Sequence, residues 1–413
     1  MSMSLAVPLE AEQQLKIFER KLRRESVPGT VFDQLEAIYS TSKRTAMPEA
    51  IYYKLAPGYE LAPVVQYPMI KTLSAEATEG DDSTLGNLEG HEEALVTKFG
   101  QARANDVAHA VPCNEYGIDA NTKEAFQINE QAVDLLAIWG KEYIERSRSQ
   151  SLLERIGQNL QAAPHSLSPM ITPNVYVAGL ADASQPVCNS LTANTWANTV
   201  GTALAASSST AGASCSTLNF FIRLDNWAST QKYIEPVMIG GKETYIFLLP
   251  SSQAVYLKSP SGTGSLGATW FQMQKREDEE QQFNTMLGRI GRILIIEYPR
   301  FPTVTLSGSS GAYSLTTAYR GMGRGTSSDP RDTTSAGRDV GLLLGKGSII
   351  ERKDTDWHLE YQWDQYDKFF GVASACTVGH NMPVYNLGTK TVAAEQQDSS
   401  IACFFRKTPS SFI

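Results

Sequence analysis

The sequence predicts an α+β protein built from more than one lobe. Three observations carry that expectation. Residues 121–162 hold an apolar stripe at helical spacing over a length well beyond the usual globular helix. Residues 51–112 hold two extended runs on either side of a polar, glycine-bearing tip. Segments 244–249 and 293–298 are short unbroken apolar runs, the pattern of strands buried on both faces. At 413 residues the chain is also too long for one simple core.

Taken in order, residues 1–50 read as an arm. Between 10 and 24, Leu15, Phe18 and Leu22 fall on one helical stripe, among Lys16, Arg20, Lys21, Arg23 and Arg24 and the acids Glu10, Glu12 and Glu19. Val27-Pro28-Gly29 ends that pattern. The five bases are candidate contacts to a neighbouring chain or to nucleic acid; a solvated surface helix is the other reading.

Residues 51–115 read as a long β-hairpin. Ile51, Tyr52, Tyr53, Val64, Val65 and Tyr67 favour strands, and Pro57, Pro63 and Pro68 restrict them to an edge or a free ribbon. The tip, 80–93, is rich in glycine and acids, and strand character resumes at 94–99.

The long helix follows, within a block from 116 to 200. Asn121 and Glu124 have capping-box spacing. Ile128, Ala132, Leu135, Trp139 and Tyr143 form the expected inward stripe, continued by Leu152, Ile156 and Leu160 and closed by Pro164. Gly140 and Gly157 are expected bending points.

Residues 201–335 form an α/β block. It holds a strand or helix entry at 216–224, a helix at 227–234, a buried strand at 244–249, a helix opened by Pro250, a charged helical face within 268–286 and a buried strand at 293–298. The remainder, 336–413, reads as strands, with GLLLGKGSII, HLEYQW and FFGVASACTVG separated by polar turns. No internal repeat of fixed period is present.

Composition excludes several classes. Hydrophobic residues make up 42%, ordinary for a globular chain, and no apolar run reaches bilayer length. The first residues lack the pattern of a secretory signal, so folding in a cytoplasm is expected. A net charge of -8 is wrong for a reader of DNA grooves, whose affinity comes from neutralising phosphates. The five cysteines, Cys113, Cys188, Cys215, Cys376 and Cys403, are dispersed and form no CxxC pair, which disfavours both a disulfide framework and a zinc site.

The search for chemistry finds no catalytic, cofactor-binding or metal-binding motif. Gly341 to Gly347 falls one residue short of a phosphate loop and has Gly after the Lys. Gly321, Gly323 and Gly325 lack the third glycine of a dinucleotide fingerprint. Gly308-Ser309-Ser310-Gly311 is not a nucleophile elbow. The histidines His91, His109, His165, His358 and His380 have no short metal spacing. Asp354, Asp356, Glu360, Asp364 and Asp367 form an acidic group in an aromatic segment; a calcium site and a row of solvated strand residues are the two readings. No cofactor and no enzymatic activity are expected.

Four segments carry a family resemblance. TYIFLLPSSQAVYLK (244–258), FNTMLGRIGRILIIEYPRFP (283–302), GRDVGLLLGKGSI (337–349) and WHLEYQWDQYDKFFGVASACTVG (357–379) occur in order. They resemble the coat proteins of the N-four-type phage family, variants of the Hong Kong 97 capsid fold. The resemblance implies an N-terminal arm (1–50), an extended loop (51–115), a peripheral domain with a spine helix (116–200), an axial domain (201–335) and a return to the peripheral domain (336–413). It further implies a major capsid protein of the virion, assembled in the host cytoplasm as hexamers and pentamers of an icosahedral shell. The implied partners are scaffolding, portal and decoration proteins and packaged double-stranded DNA bound without sequence reading, with no membrane. No helical pro-region is evident and neither position of a Lys–Asn crosslink can be matched, so neither proteolytic maturation nor crosslinking is expected. The competing readings are a decoration or tail protein, against which the long helix counts, and a cytoplasmic α/β hydrolase.

Overall fold

The computed structural model describes residues 52–55, 64–70, 97–112, 128–153, 172–186, 199–203, 215–231, 234–239, 241–258, 286–298, 303–307, 314–318, 337–364, 369–381 and 396–406. They form two sheets with helices packed on them and one separate ribbon.

The ribbon pairs β2 (Val64–Ile70) with β3 (Thr97–Arg103), antiparallel, from Val64 opposite Arg103 to Ile70 opposite Thr97. Pro68 fits in β2 because the ribbon is two-stranded and leaves one side of each strand unpaired. The tip at 80–93 and residues Pro57 and Pro63 lie outside the described residues, as does the arm, 1–50.

The four-stranded sheet has the order β1-β13-β14-β4, with β1 (Tyr52–Leu55), β4 (Asn105–Pro112), β13 (Ile349–Asp364) and β14 (Phe369–Asn381). The expected hairpin block therefore contributes both outer strands of this sheet, and the ribbon proper is shorter than 51–115.

Helix α1 (Ile128–Leu153) packs on this sheet. Its flanks at 121–127 and 154–162 lie outside the described residues. The expected stripe is rotated. Val133, Leu136, Ala137 and Ile144 are buried with Ala132 against Trp357, Leu359, Val372, Cys376 and Val378. Trp139 and Tyr143 are only partly buried, and Leu135 is 60% exposed. Two stripes at spacings of three and four coexist on this helix. The one that wins contains Gly140, where a Cβ would sit 3.1 Å from the Trp357 ring. Gly140 therefore lets the helix approach Trp357 closely and has a packing role in place of the expected bend.

The larger sheet is nine-stranded. Its path is β11-β10-β12-β7-β9-β8, with β15 on β12, β5 on β15 and β6 on β7. These are β5 (Thr172–Val177), β6 (Val237–Ile239), β7 (Lys242–Pro250), β8 (Met286–Ile290), β9 (Ile293–Tyr298), β10 (Thr303–Ser307), β11 (Ser314–Ala318), β12 (Gly337–Leu344) and β15 (Gln396–Arg406). The apolar runs in β7 and β9 pair in parallel from Tyr245 opposite Ile293 to Pro250 opposite Tyr298, and Thr244–Pro250 is buried throughout. Helix α2 (Leu218–Asn226) is capped by Thr217, whose Oγ1 accepts from the Phe220 N–H at 3.2 Å. Segment 216–224 is thus a helix entry. The helix expected at 227–234 is only a π-turn, Trp227–Gln231, continuing α2. Helix α3 (Ser251–Lys258) begins one residue after Pro250, which remains the last residue of β7. The charged segment 268–285 lies outside the described residues.

Phe220, Phe221, Leu224 and Trp227 bury against Tyr176, Phe247, Phe405 and Ile401 of the sheet, each fully buried Phe contributing about 1.5–3 kcal/mol. At the outer side of β5 the Gln185 side chain takes the place of a further strand. Its Oε1 accepts from the Val177 N–H at 2.7 Å and its Nε2 donates to the Val177 carbonyl at 3.0 Å.

Two features of the C-terminal block differ from the expected strands. GLLLGKGSII is not one strand. It ends β12 at Leu344, turns through Gly345–Ser348 and opens β13 in the other sheet. Conversely, the charged run ERKDTD, expected as a turn, lies within β13, which continues past two register shifts to Asp364. The block 336–413 thereby supplies strands to both sheets.

Candidate functional site

The junction between the sheets is the most constrained backbone among the described residues. Gly345 N–H donates to the Ser399 carbonyl at 2.8 Å, and Lys346 N–H donates to the Glu235 carbonyl at 2.9 Å. Ser348 Oγ is within 2.8 Å of the Gly345 carbonyl and 2.7 Å of the Ser399 carbonyl. A Cβ on Gly345 would meet Ile234 Cγ2 at 2.5 Å and the Glu235 carbonyl oxygen at 2.7 Å; one on Gly341 would meet the Phe247 ring at 2.7 Å. Gly347 has φ 67, the left-handed region. These glycines are dictated by packing and turning, in keeping with the rejection of this segment as a phosphate loop.

A buried polar cluster ties α1 to the four-stranded sheet. Glu351 and His380 are register partners on β13 and β14. His380 Nε2 lies 2.9 Å from Glu351 Oε2, and His380 Nδ1 lies 2.8 Å from Ser147 Oγ on α1. With the proton on Nε2 the ring donates to the carboxylate and accepts from the hydroxyl, which satisfies both contacts. Arg148, next on the helix, reaches the same Glu351 oxygen with Nη2 at 3.1 Å. Sequence reading found none of this, because Ser147 and His380 are 233 positions apart.

A serine, an imidazole and a carboxylate in series are the parts of a hydrolytic relay. Here none of the three is more than 8% exposed, and Arg148 holds the acid. Such a cluster can lock a helix to a sheet; a substrate would have to open the seam to reach it.

The acidic group at 354–367 is resolved into local pairs. Asp354 bonds to Arg352 Nε at 2.9 Å, Asp356 pairs with Lys353, and Glu360 lies 3.2 Å from His358 Nε2. Asp354, Asp356 and Glu360 are exposed along β13, which matches the reading of solvated strand residues. Asp367 lies outside the described residues. No group of three or more His, Cys, Asp or Glu residues suited to a metal ion occurs among the described residues.

Cys215, Cys376 and Cys403 are free and buried. Burial pushes the Cys376 thiol up to about 12 and holds Cys403 well above the ordinary thiol value. Neither has the lowered value of a nucleophile. Cys113 and Cys188, and the candidate contacts Lys16, Arg20, Lys21, Arg23 and Arg24, lie outside the described residues.

What remains open is surface. Leu135 and Ile138 of α1 are 60% and 57% exposed. Ile222, Met238 and Val255 of the larger sheet and its helices are exposed as well. No described helix is long and apolar enough to cross a membrane.

This arrangement of ribbon, long helix on a small sheet and larger second sheet has close counterparts among solved structures. The capsid of Ralstonia phage GP4 superposes with a TM-score of 0.63 at 16% identity over 91% of each chain. The fold is that of phage capsid subunits. The cyanophage Pam1 capsid matches with a TM-score of 0.53 at 12% identity, covering 88% of this chain and 90% of that one. The head of Helicobacter pylori bacteriophage KHP40 matches with a TM-score of 0.51 at 13% identity, covering 87% and 88%. No protein-family model matches the sequence, and no curated protein matches it either.

Proposed function

We propose that this chain is the major capsid protein of a tailed phage, a subunit whose hexamers and pentamers close into an icosahedral shell around double-stranded DNA. The observation that carries the reading is the extent of the structural likeness: about nine tenths of this chain is shared with the Ralstonia phage GP4 capsid, ribbon and both sheets included. In the Hong Kong 97 terms implied by the sequence, α1 and the four-stranded sheet form the peripheral domain and the nine-stranded sheet forms the axial domain. The β2–β3 ribbon is the extended loop and residues 1–50 are the arm.

A subunit of this kind works through repeated contacts. An isolated two-stranded ribbon is marginal by itself and gains stability by lying on another chain. Closure of a shell multiplies contacts that are individually weak. A net charge of -8 suits a container that surrounds DNA without gripping it. Scaffolding, portal and decoration proteins are the partners this role requires, with assembly in the host cytoplasm and residence in the phage head.

The hydrolase reading has one observation in its favour, the Ser147–His380–Glu351 series, and its burial with Arg148 on the acid speaks against it. Negative-stain electron microscopy of the purified chain, with its sedimentation profile, separates the two. Shells or rings of five and six subunits support the coat reading. A compact monomer that cleaves a reporter ester, and loses that activity on Ser147→Ala substitution, would replace it.

A further inference from the structure

Leu135 and Ile138 stand one turn apart on the side of α1 away from the sheet, and both are more than half exposed. Two branched apolar side chains at this spacing are what a second amphipathic helix needs as an anchor. From Ile128 to Gly140 the helix carries Glu130 and Asp134 and no base. We infer that this face is the docking surface for residues 10–24 of a second copy of the chain.

Three features select that occupant. The segment has its own apolar stripe, Leu15, Phe18 and Leu22, at matching spacing. Its charge is opposite: Lys16, Arg20, Lys21, Arg23 and Arg24 stand against Glu19 alone between 16 and 24. The connection is long enough, since residues 25–51 can extend to about 90 Å at about 3.3–3.6 Å per residue. They lead to β1, an outer strand of the sheet on which α1 packs. A second copy is required because the inference rests on the coat reading: an arm closed on its own helix would consume the surface without joining subunits. The basic residues then serve a protein contact and leave the packaged DNA untouched.

The test uses assembled particles. Chains bearing Phe18→Cys are co-assembled with chains bearing Ile138→Cys and treated with a short bismaleimide, and the products are mapped by peptide mass spectrometry. A dimer joined between positions 18 and 138 is expected. Shells that form normally but give no such dimer overturn the inference and leave the coat reading intact. A double variant, Phe18→Cys with Ile138→Cys, that crosslinks only within one chain overturns it too. In parallel, Leu135→Glu/Ile138→Glu alters exposed positions only. It is expected to keep the wild-type melting temperature and lose shell formation; wild-type shell yield from this variant counts against the docking face. Absence of shells from the wild-type chain in every condition removes the coat reading and this inference together.

Discussion

Arg148 on α1 and Glu351 on β13 meet through Nη2 and Oε2 at 3.1 Å, with both side chains 3% exposed. The same carboxylate oxygen also faces His380 Nε2 at 2.9 Å, so one buried acid fastens the end of the long helix to two strands. Removing one member leaves the other charged without compensation, which costs about 3–5 kcal/mol in comparable buried pairs. Arg148→Met and Glu351→Gln are each expected to lower the melting temperature strongly. The double change Arg148→Met/Glu351→Leu should recover much of the loss, because buried ion pairs are often replaceable by apolar packing. Thermal melts followed by near-ultraviolet circular dichroism decide it; single variants that melt with the wild type would show that the cluster does not fasten the helix.

The junction glycines give a second prediction. At Gly345 a Cβ would press into backbone, 2.7 Å from the Glu235 carbonyl oxygen, and neither side can yield cheaply. Gly345→Ala is expected to destabilise by about 3 kcal/mol, the upper range for overpacking. Gly241 is the control. It has φ 77 but nothing within 4 Å of a Cβ, so Gly241→Ala should cost only the left-handed backbone, about 1–2 kcal/mol. Denaturant midpoints measure both, and equal losses would contradict the steric account.

Gly140→Ala lies between these cases. The substitution adds about 1 kcal/mol of helix propensity, while its methyl group would lie 3.1 Å from the buried Trp357 ring. The expected outcome is no net gain in stability, whereas Gly140→Val should unseat the helix. A stabilised Gly140→Ala protein would mean that Trp357 has room to move.

Alkaline conditions should weaken the fold. Burial pushes the Cys376 thiol from 9.0 up to about 12 and the Tyr245 hydroxyl from 10.0 up to about 12. Both groups hold their protons more tightly when folded. Between their ordinary and raised values the unfolded chain therefore binds fewer protons, and stability falls as pH rises. The contribution is complete below about pH 9 and is lost on the way to about pH 12. Cys376→Ala should make the decline shallower in urea titrations across that window. Cys215, Cys376 and Cys403 should resist thiol reagents until the protein unfolds.

Much of this architecture is written locally. The apolar runs of β7 and β9, the Pro-led helix after β7 and the ribbon followed by a long helix depend on neighbouring residues, and sequence periodicity reveals them. The rotated face of α1 does not, because Leu135 and Leu136 begin competing stripes and only the fit of Gly140 to Trp357 chooses between them. ERKDTD reads as a turn because its charges suggest solvent, yet Glu351 and Arg352 are buried. The pairing of Ser147 with His380 and the split of GLLLGKGSII between two sheets are tertiary facts with no local trace. The exposed pair Leu135 and Ile138 was hidden for the same reason: a surface stripe and a core stripe look alike until the helix has a partner.

The central claim is that the chain closes into shells, and the symmetry of its particles tests that most directly. Electron cryomicroscopy of the chain, produced alone and with the proteins encoded beside it, should give icosahedral particles. The reconstructed subunits should show α1 on the four-stranded sheet, with the β2–β3 ribbon lying over a neighbour. Monomers or small asymmetric oligomers in both preparations would contradict the account.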